Sequence, residues 1–232
     1  MASTSLTDPE FGDITIRRTK LARHIRLKIS ERGEIVISMP MRTPLFLAKT
    51  LVNESRTQIR SHLAKAESQQ ATLLNGDLIG KSHRLVLMPG QSFGSRLSGN
   101  ELYVMLPAGT DPRRSEAQTF IKQAALKALR TQAKAYLTRR LQALASTYGF
   151  KFTAIRFSNA GTRWGSCSSR GTISLNIWLM QLPFELIDYV LVHELCHTKQ
   201  MNHSPLFWRS VERILPDYKN RRKILKDQRP YL

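Results

Sequence analysis

The sequence predicts an α+β fold: a β-rich N-terminal region, then a long basic helix, then a domain in which a helix lies beside a small sheet. Three observations carry this reading. Short segments of alternating apolar and polar residues, separated by glycine-containing turns, recur up to about residue 110, as half-exposed strands require. Apolar residues then repeat at helical spacing from Asp111 to about Tyr148. Finally, an apolar helical run after Pro183 ends in His193-Glu194-Leu195-Cys196-His197.

Residues 1–12 read as a loose polar tail. A β-rich region with one helix is expected over 13–110, and the long helix plus the last domain over 111–232. Ile14–Arg18, His24–Ile29 and Glu34–Met39 alternate as strands, with Arg32-Gly33 as a turn. Arg17, Arg18, Lys20, Arg23, Arg26 and Lys28 then form a solvated sheet face or, alternatively, a surface for polyanions. Thr43-Pro44 opens a helix to about Glu67, in which Leu47, Leu51, Ile59 and Leu63 share a side. Strands follow at Leu73–Ile79, His83–Met88 and Glu101–Leu106. The stretch Gly90–Gly94 lacks the Gly-Lys-Ser/Thr ending and the following helix of a phosphate loop. No internal repeat is visible in the sequence.

In the long helix, Leu126, Leu129, Ala133, Tyr136, Leu137, Leu141 and Leu144 make the packing stripe. Arg113, Arg114, Lys122, Lys127, Arg130, Lys134, Arg139 and Arg140 cover much of the rest, with Glu116 as the lone acid. A solvated helix usually mixes signs, so this face is a candidate for polyanion binding. Gly149 ends the helix; Phe152–Phe157 and Thr172–Asn176 read as strands. Beyond the histidines, Ser204-Pro205 caps and opens a helix, and a short basic helix follows from Lys219 to about Lys226.

Residues four apart on a helix stand about 40° apart around its axis, so His193 and His197 point the same way, one turn apart. Such a pair holds two corners of a tetrahedral zinc, and Glu194 beside it is placed to take a proton from water at the metal. The third ligand expected is His203, beyond a helix end at Met201-Asn202, where asparagine tolerates a left-handed stop. Three of the six histidines fall within these eleven residues. Glu212 or Asp217, on a later helix, is the competing third ligand. Three ligands with one position open describe a catalytic site. A buried helix whose histidines only hydrogen-bond would leave Glu194 unexplained on the buried side.

Length and composition bound the rest. A chain of 232 residues with 41% hydrophobic content builds one large or two small domains. It has no apolar run of transmembrane length and no basic-then-apolar start, so neither a membrane span nor secretion is expected. Cys167 and Cys196 are the only two cysteines, which fits a reducing cytoplasm. Lysine and arginine number 36 against 17 acids, a net charge of +19 that favours anionic partners, nucleotides or nucleic acid among them.

Arg163-Trp164-Gly165-Ser166-Cys167-Ser168-Ser169, Ile173-Ser174-Leu175-Asn176, His193–His197 and Asn202-His203-Ser204-Pro205-Leu206-Phe207-Trp208 together resemble the YgjP-like metallopeptidase-domain family, related to the SprT-like zinc proteases. The resemblance implies a zincin-like catalytic domain, zinc at the three histidines and Glu194 as general base. It also implies a protein or peptide substrate, with nucleoside triphosphate pyrophosphatase activity as the alternative; the basic surfaces of the chain leave a DNA-recruited protease as a further one. Metzincins share this ligand spacing but have glycine where this chain has Gln200, so the turn between ligands must be made differently here. By the same resemblance, Ile173, Ser174, Leu175 and Asn176 are the strand that pairs with an extended substrate. Asn176 alternatively holds a loop. Arg163 stabilises developing negative charge, or else pins its turn by pairing with a carboxylate. Cys167 and Cys196 are expected to be packed thiols, and Trp164 and Trp208 core residues.

Overall fold

The computed structural model describes residues 3–29, 34–69, 72–161 and 163–228, and it is an α+β protein of two compact units, 1–71 and 72–232. The first unit holds four strands: β1 (Ser3–Asp8), β2 (Gly12–Thr19), β3 (Arg26–Ile29) and β4 (Ile35–Pro40). Their order is β1-β2-β4-β3, with β2 and β4 parallel and the two outer pairs antiparallel. Period-two alternation sends Ile14, Ile16, Ile35, Ile37 and Met39 inward. There they meet Ala48 and Val52 of α1 (Leu45–Glu54) and Ile59 of α2 (Arg56–Gln69).

Two expectations change here. Residues 3–8 are not a loose tail, because they pair with β2 along their whole length. Arg56 then ties α2 to Asp8 at 2.8 Å and to Glu10 at 2.7 Å, and Arg60 also pairs with Glu10. The helix expected over 44–67 is two helices, broken at Ser55. The Arg32-Gly33 turn lies outside the described residues.

The second unit opens by repeating the topology of the first. Strands β5 (Leu78–Ile79), β6 (His83–Gly90), β7 (Gly94–Ser98) and β8 (Glu101–Pro107) run in the order β5-β6-β8-β7. Again the middle pair is parallel and the outer pairs are antiparallel, and again a helix follows. The repetition lies in the pairing pattern, which the residue sequence does not display. It explains why the contacts divide at 71/72 and not at 110/111 as the sequence led us to expect: β5–β8 share their core with the helix that follows.

That helix, α3 (Ser115–Tyr148), spans 34 residues and buries Ile121, Leu129, Leu137 and Leu141 completely. Two buried glutamines peg the chain before it. Gln118 accepts from Leu73 N–H at 2.9 Å and donates to the carbonyls of Leu73 and Pro112. Gln132 accepts from Lys81 N–H at 2.9 Å and donates to Ile79 O at 2.7 Å, and its amide also meets His83 Nδ1. Backbone groups that would otherwise be buried without partners are thereby satisfied. The basic residues of α3 do not form one free face. Arg140 makes a two-pronged pair with Asp188 at 2.7 and 2.6 Å, Arg130 reaches the Phe157 carbonyl, and Lys122 is half-buried.

The rest of the unit is a three-stranded sheet and three helices. Strands β9 (Ala154–Ser158), β10 (Gly165–Cys167) and β11 (Thr172–Asn176) run in the order β10-β11-β9. A 3-10 turn, Ile177–Gln181, leads into α4 (Phe184–His197); α5 (Pro205–Ile214) and α6 (Tyr218–Lys226) follow. Leu186, Ile187, Val190, Leu191 and Leu195 of α4 are all buried in the core shared with α3 and β11. No helix among the described residues is long and apolar enough to cross a membrane.

Candidate metal centre

Helix α4 carries His193 and His197 on its last turn, and it stops at His197, earlier than the expected end at Met201-Asn202. No left-handed residue makes the stop, since among the described residues only glycines have positive φ. The chain leaves through a tight turn in which the N–H groups of Lys199 and Gln200 both bond to Cys196 O. This is how a chain with Gln200 in place of glycine turns between the two histidines. The Gln200 carbonyl also lies 3.0 Å from His197 Nδ1. An oxygen can only accept, so Nδ1 carries the proton and Nε2 turns its lone pair inward.

His203 joins the pair. The Nε2 atoms of His197 and His203 lie 3.2 and 3.1 Å from Nε2 of His193, and the ligand atoms of all three fall within 4.8 Å of one another. Two nitrogens bound tetrahedrally to zinc at 2.0–2.1 Å would stand about 3.3 Å apart, so the donor set fits such an ion. The competing third ligands are elsewhere. Glu212 is exposed and Asp217 is taken by Arg221 at 2.8 Å, and neither belongs to the cluster. Burial, the neighbouring histidines and the charge of Arg222 hold the His193 imidazole down to a pKa of about 3, so it keeps a free lone pair at neutral pH.

Aromatic rings of α5 frame the histidines. Ser204 caps that helix by accepting from Phe207 N–H, which fixes the following two rings. Phe207 is fully buried and stacks on His197 with centroids 4.5 Å apart; Trp208 stacks on His203 at 5.5 Å. Trp208 was expected as plain core, but it is half-buried and holds a ring of the cluster.

Glu194, the next residue of α4, packs against β10. It is 5% exposed, and its Oε2 is buried without a hydrogen-bond partner. Burial pushes its carboxyl up to a pKa of about 8, with the charge of Arg163 opposing the rise. A buried carboxyl poised near neutrality, with one oxygen unclaimed, is suited to exchanging a proton with a bound molecule. The fit between Glu194 and β10 depends on Gly165, whose absent side chain leaves room for the carboxyl.

The strand expected to pair with substrate cannot do so. β11 is the middle strand, bonded to β10 on one side and to β9 on the other, so Ile173–Asn176 offers no free backbone edge. Ile173, Leu175 and Asn176 are also buried, with Ser174 half-buried. Asn176 is instead a loop anchor. Its Nδ2 donates to the carbonyls of Ala160 and Arg163 at 2.6 and 2.8 Å, and its Oδ1 accepts from Trp178 N–H. The turn is therefore held through the Arg163 backbone. The Arg163 side chain is exposed and acts on the Glu194 carboxyl through its charge, with no ion pair to a carboxylate among the described residues.

Both cysteines are thiols that burial disfavours from ionising. Cys196 is pushed up to about 12, and Cys167 rises through burial and the nearby Glu194 charge. Neither belongs to the histidine cluster. Sequence reasoning missed Arg222 of α6, whose guanidinium carbon lies 4.7 Å from the centre of the Trp208 ring. The basic character of the segment was legible, but its contact with an aromatic of another helix was not.

Comparison with known proteins bears on this geometry. The model of a family described as "YgjP-like, metallopeptidase domain" matches residues 23–228. Among solved structures, the metallopeptidase zymogen of Pyrococcus abyssi abylysin is 29% identical over 41% of this chain and 98% of its own, with a TM-score of 0.36. The zymogen of Methanocaldococcus jannaschii jannalysin is 20% identical over 38% of this chain and 93% of its own, with a TM-score of 0.34. The curated proteins contain no match.

Proposed function

The chain belongs to the YgjP-like metallopeptidase-domain family, and from that premise we propose that it is a zinc-dependent metallopeptidase with Glu194 as its general base. The single observation that supports this most is the meeting of three imidazole nitrogens, with a buried carboxyl on the residue next to His193 that has an unpartnered oxygen. His193, His197 and His203 would hold the ion. Zinc bound there supplies Lewis acidity and makes water acidic enough to attack a carbonyl carbon near neutral pH.

The chain's own groups do the rest. Glu194 accepts the proton of the attacking water at its carboxylate and returns it to the leaving nitrogen, which needs a group whose pKa lies near the working pH. Arg163, whose charge is felt at Glu194, stabilises negative charge developing on the carbonyl oxygen. Substrate would lie along β10, an edge strand of its sheet and the edge that touches Glu194. Pairing through the backbone binds extended peptides with little demand on their side chains.

A second reading keeps the same ion and base but hydrolyses a nucleoside triphosphate. It is favoured by the cationic groups at the site, Arg163 and Arg222, neither of which has an acid partner among the described residues. Recruitment to nucleic acid through the net charge of +19 is a third, weaker reading, because part of the basic face of α3 is engaged within the fold. Assay of the zinc-loaded protein on casein and on a nucleotide panel, each beside Glu194→Gln, tests the proposal. Casein cleavage lost in Glu194→Gln supports the peptidase. Nucleotide hydrolysis without casein cleavage supports the second reading, and cleavage unchanged in the variant overturns the assigned base.

A further inference from the structure

We propose that Arg222, laid over Trp208 on the His203 side of the cluster, forms a subsite for an anionic group of the substrate, a carboxylate or a phosphate. The inference rests on the metallohydrolase reading above and adds to it the chemical class of what is bound.

The geometry begins with Trp208. Its ring stacks on His203 at 5.5 Å and 22°, and on Tyr218 at 5.4 Å and 16°. Arg222 Cζ lies 4.7 Å from the same ring centre. A guanidinium over indole is held in place without its donors being used, because the attraction is to the ring face. Its N–H groups are left for another partner. None is present: among the described residues Arg222 makes no ion pair and no hydrogen bond. The adjacent Arg221 is engaged through Nε with Asp217 at 2.8 Å and through Nη1 with the Glu185 carbonyl at 2.9 Å. Two neighbouring arginines of one helix are thus put to different uses. One fastens α6 to the fold, and the other stands exposed over Trp208.

Charge balance points the same way. Three imidazoles bring no negative charge to a divalent cation, so the loaded cluster is strongly positive. Arg222 lies over Trp208, the ring that stacks on His203. A fixed cation there opposes metal binding unless an anion arrives to offset both charges. A pre-positioned guanidinium fork is well suited to carboxylate and phosphate, which it grips through two parallel hydrogen bonds.

The test uses zinc-loaded full-length protein and calorimetric binding, so that it does not depend on turnover. The probes are a Glu/Gly decapeptide, its Gln/Gly counterpart and inorganic pyrophosphate. The expected result is that an anionic probe binds more tightly than the Gln/Gly peptide and loses about tenfold in Kd in Arg222→Gln, with part recovered in Arg222→Lys. The Gln/Gly peptide should bind both proteins alike, and zinc affinity should stay the same or rise. Whether the peptide or pyrophosphate shows the effect separates carboxylate from phosphate. Binding of both anionic probes unchanged in Arg222→Gln, or absent in the wild type, overturns the subsite. So does a parallel loss of zinc, which would make Arg222 a prop for the cluster. Failure of the protein to take up zinc at all would instead count against the metallopeptidase reading.

Discussion

Gly165 and Glu194 fit together without a gap. A methyl group added to the glycine would lie 2.7 Å from Glu194 Oε1, 2.8 Å from Cγ and 2.9 Å from Cδ. The glycine of β10 therefore sets where the carboxyl of α4 can be. The clash would fall on the Glu194 side chain and not on backbone, so the carboxyl and its stem are what must shift. Gly165→Ala should therefore fold, with a stability loss of about 1–3 kcal/mol, and lose about a hundredfold in kcat, as misplacing a catalytic group by an ångström does. Kinetics beside thermal unfolding check this. Wild-type kcat in a folded Gly165→Ala protein would show that the contact does not position Glu194.

Asn176 anchors the loop that carries Arg163, through two carbonyls and one N–H, from a fully buried position. Removing its amide leaves buried backbone groups without partners, at a cost of about 2–4 kcal/mol. Asn176→Ala should unfold at clearly lower denaturant concentration with the metal site otherwise intact. A variant as stable as the wild type, but weakened in KM, would restore the substrate-contact role expected from the sequence.

His83 links stability to pH. Gln132 donates to Ile79 O and accepts from Lys81 N–H, which fixes the sense of its amide, so its nitrogen faces His83 Nδ1 as a donor. Nδ1 must then accept, and the ring is neutral; burial lowers its pKa from the ordinary 6.5. With the folded pKa depressed, the unfolded chain binds the extra proton. The contribution is complete above the unfolded value and is lost as pH falls from there through the lower folded value, with a slope of up to about 1.4 kcal/mol per pH unit. Urea unfolding at pH 7 and pH 5 should show a larger drop for the wild type than for His83→Gln. Equal drops would mean that His83 is not the group responsible.

The carboxylates at the β1–β2 turn act in a similar direction at lower pH. The Arg60 guanidinium, followed by that of Arg56, holds Glu10 below its usual range. At Asp8, burial works against ionisation, but the N–H groups of Glu10 and Phe11 together with Arg56 outweigh it. Depressed folded values stabilise above about pH 4 and lose that effect as pH falls further. Acid unfolding of the N-terminal unit should come at a higher pH in Arg56→Gln, monitored by exchange of the β1 amides. An unchanged midpoint would show these surface pairs to be energetically idle.

The parts of the fold readable from the sequence were those with local signals. Alternation marked β2, β4, β6 and β8; helical spacing of apolar residues marked α3; Ser204-Pro205 marked the start of α5. The two catalytic-pattern histidines and Glu194 were legible because four-residue spacing on a helix is itself a statement about direction. What escaped depends on long-range pairing. β1 became a strand only because β2 lies opposite it, and the repeated sheet order has no counterpart in residue identity. β11 looked like a substrate strand because alternation cannot tell a middle strand from an edge. Arg222 could not be singled out among the basic residues of α6, since its distinction is a ring on another helix.

The account turns on a metal held by His193, His197 and His203. The most direct measurement is metal content by mass spectrometry after stripping and reloading with zinc, for the wild type, His203→Ala and Glu194→Gln. The account predicts one zinc per chain in the wild type and in Glu194→Gln, with most of it lost in His203→Ala. A wild-type protein that takes up no metal, or a His203→Ala protein that holds as much as the wild type, would contradict it.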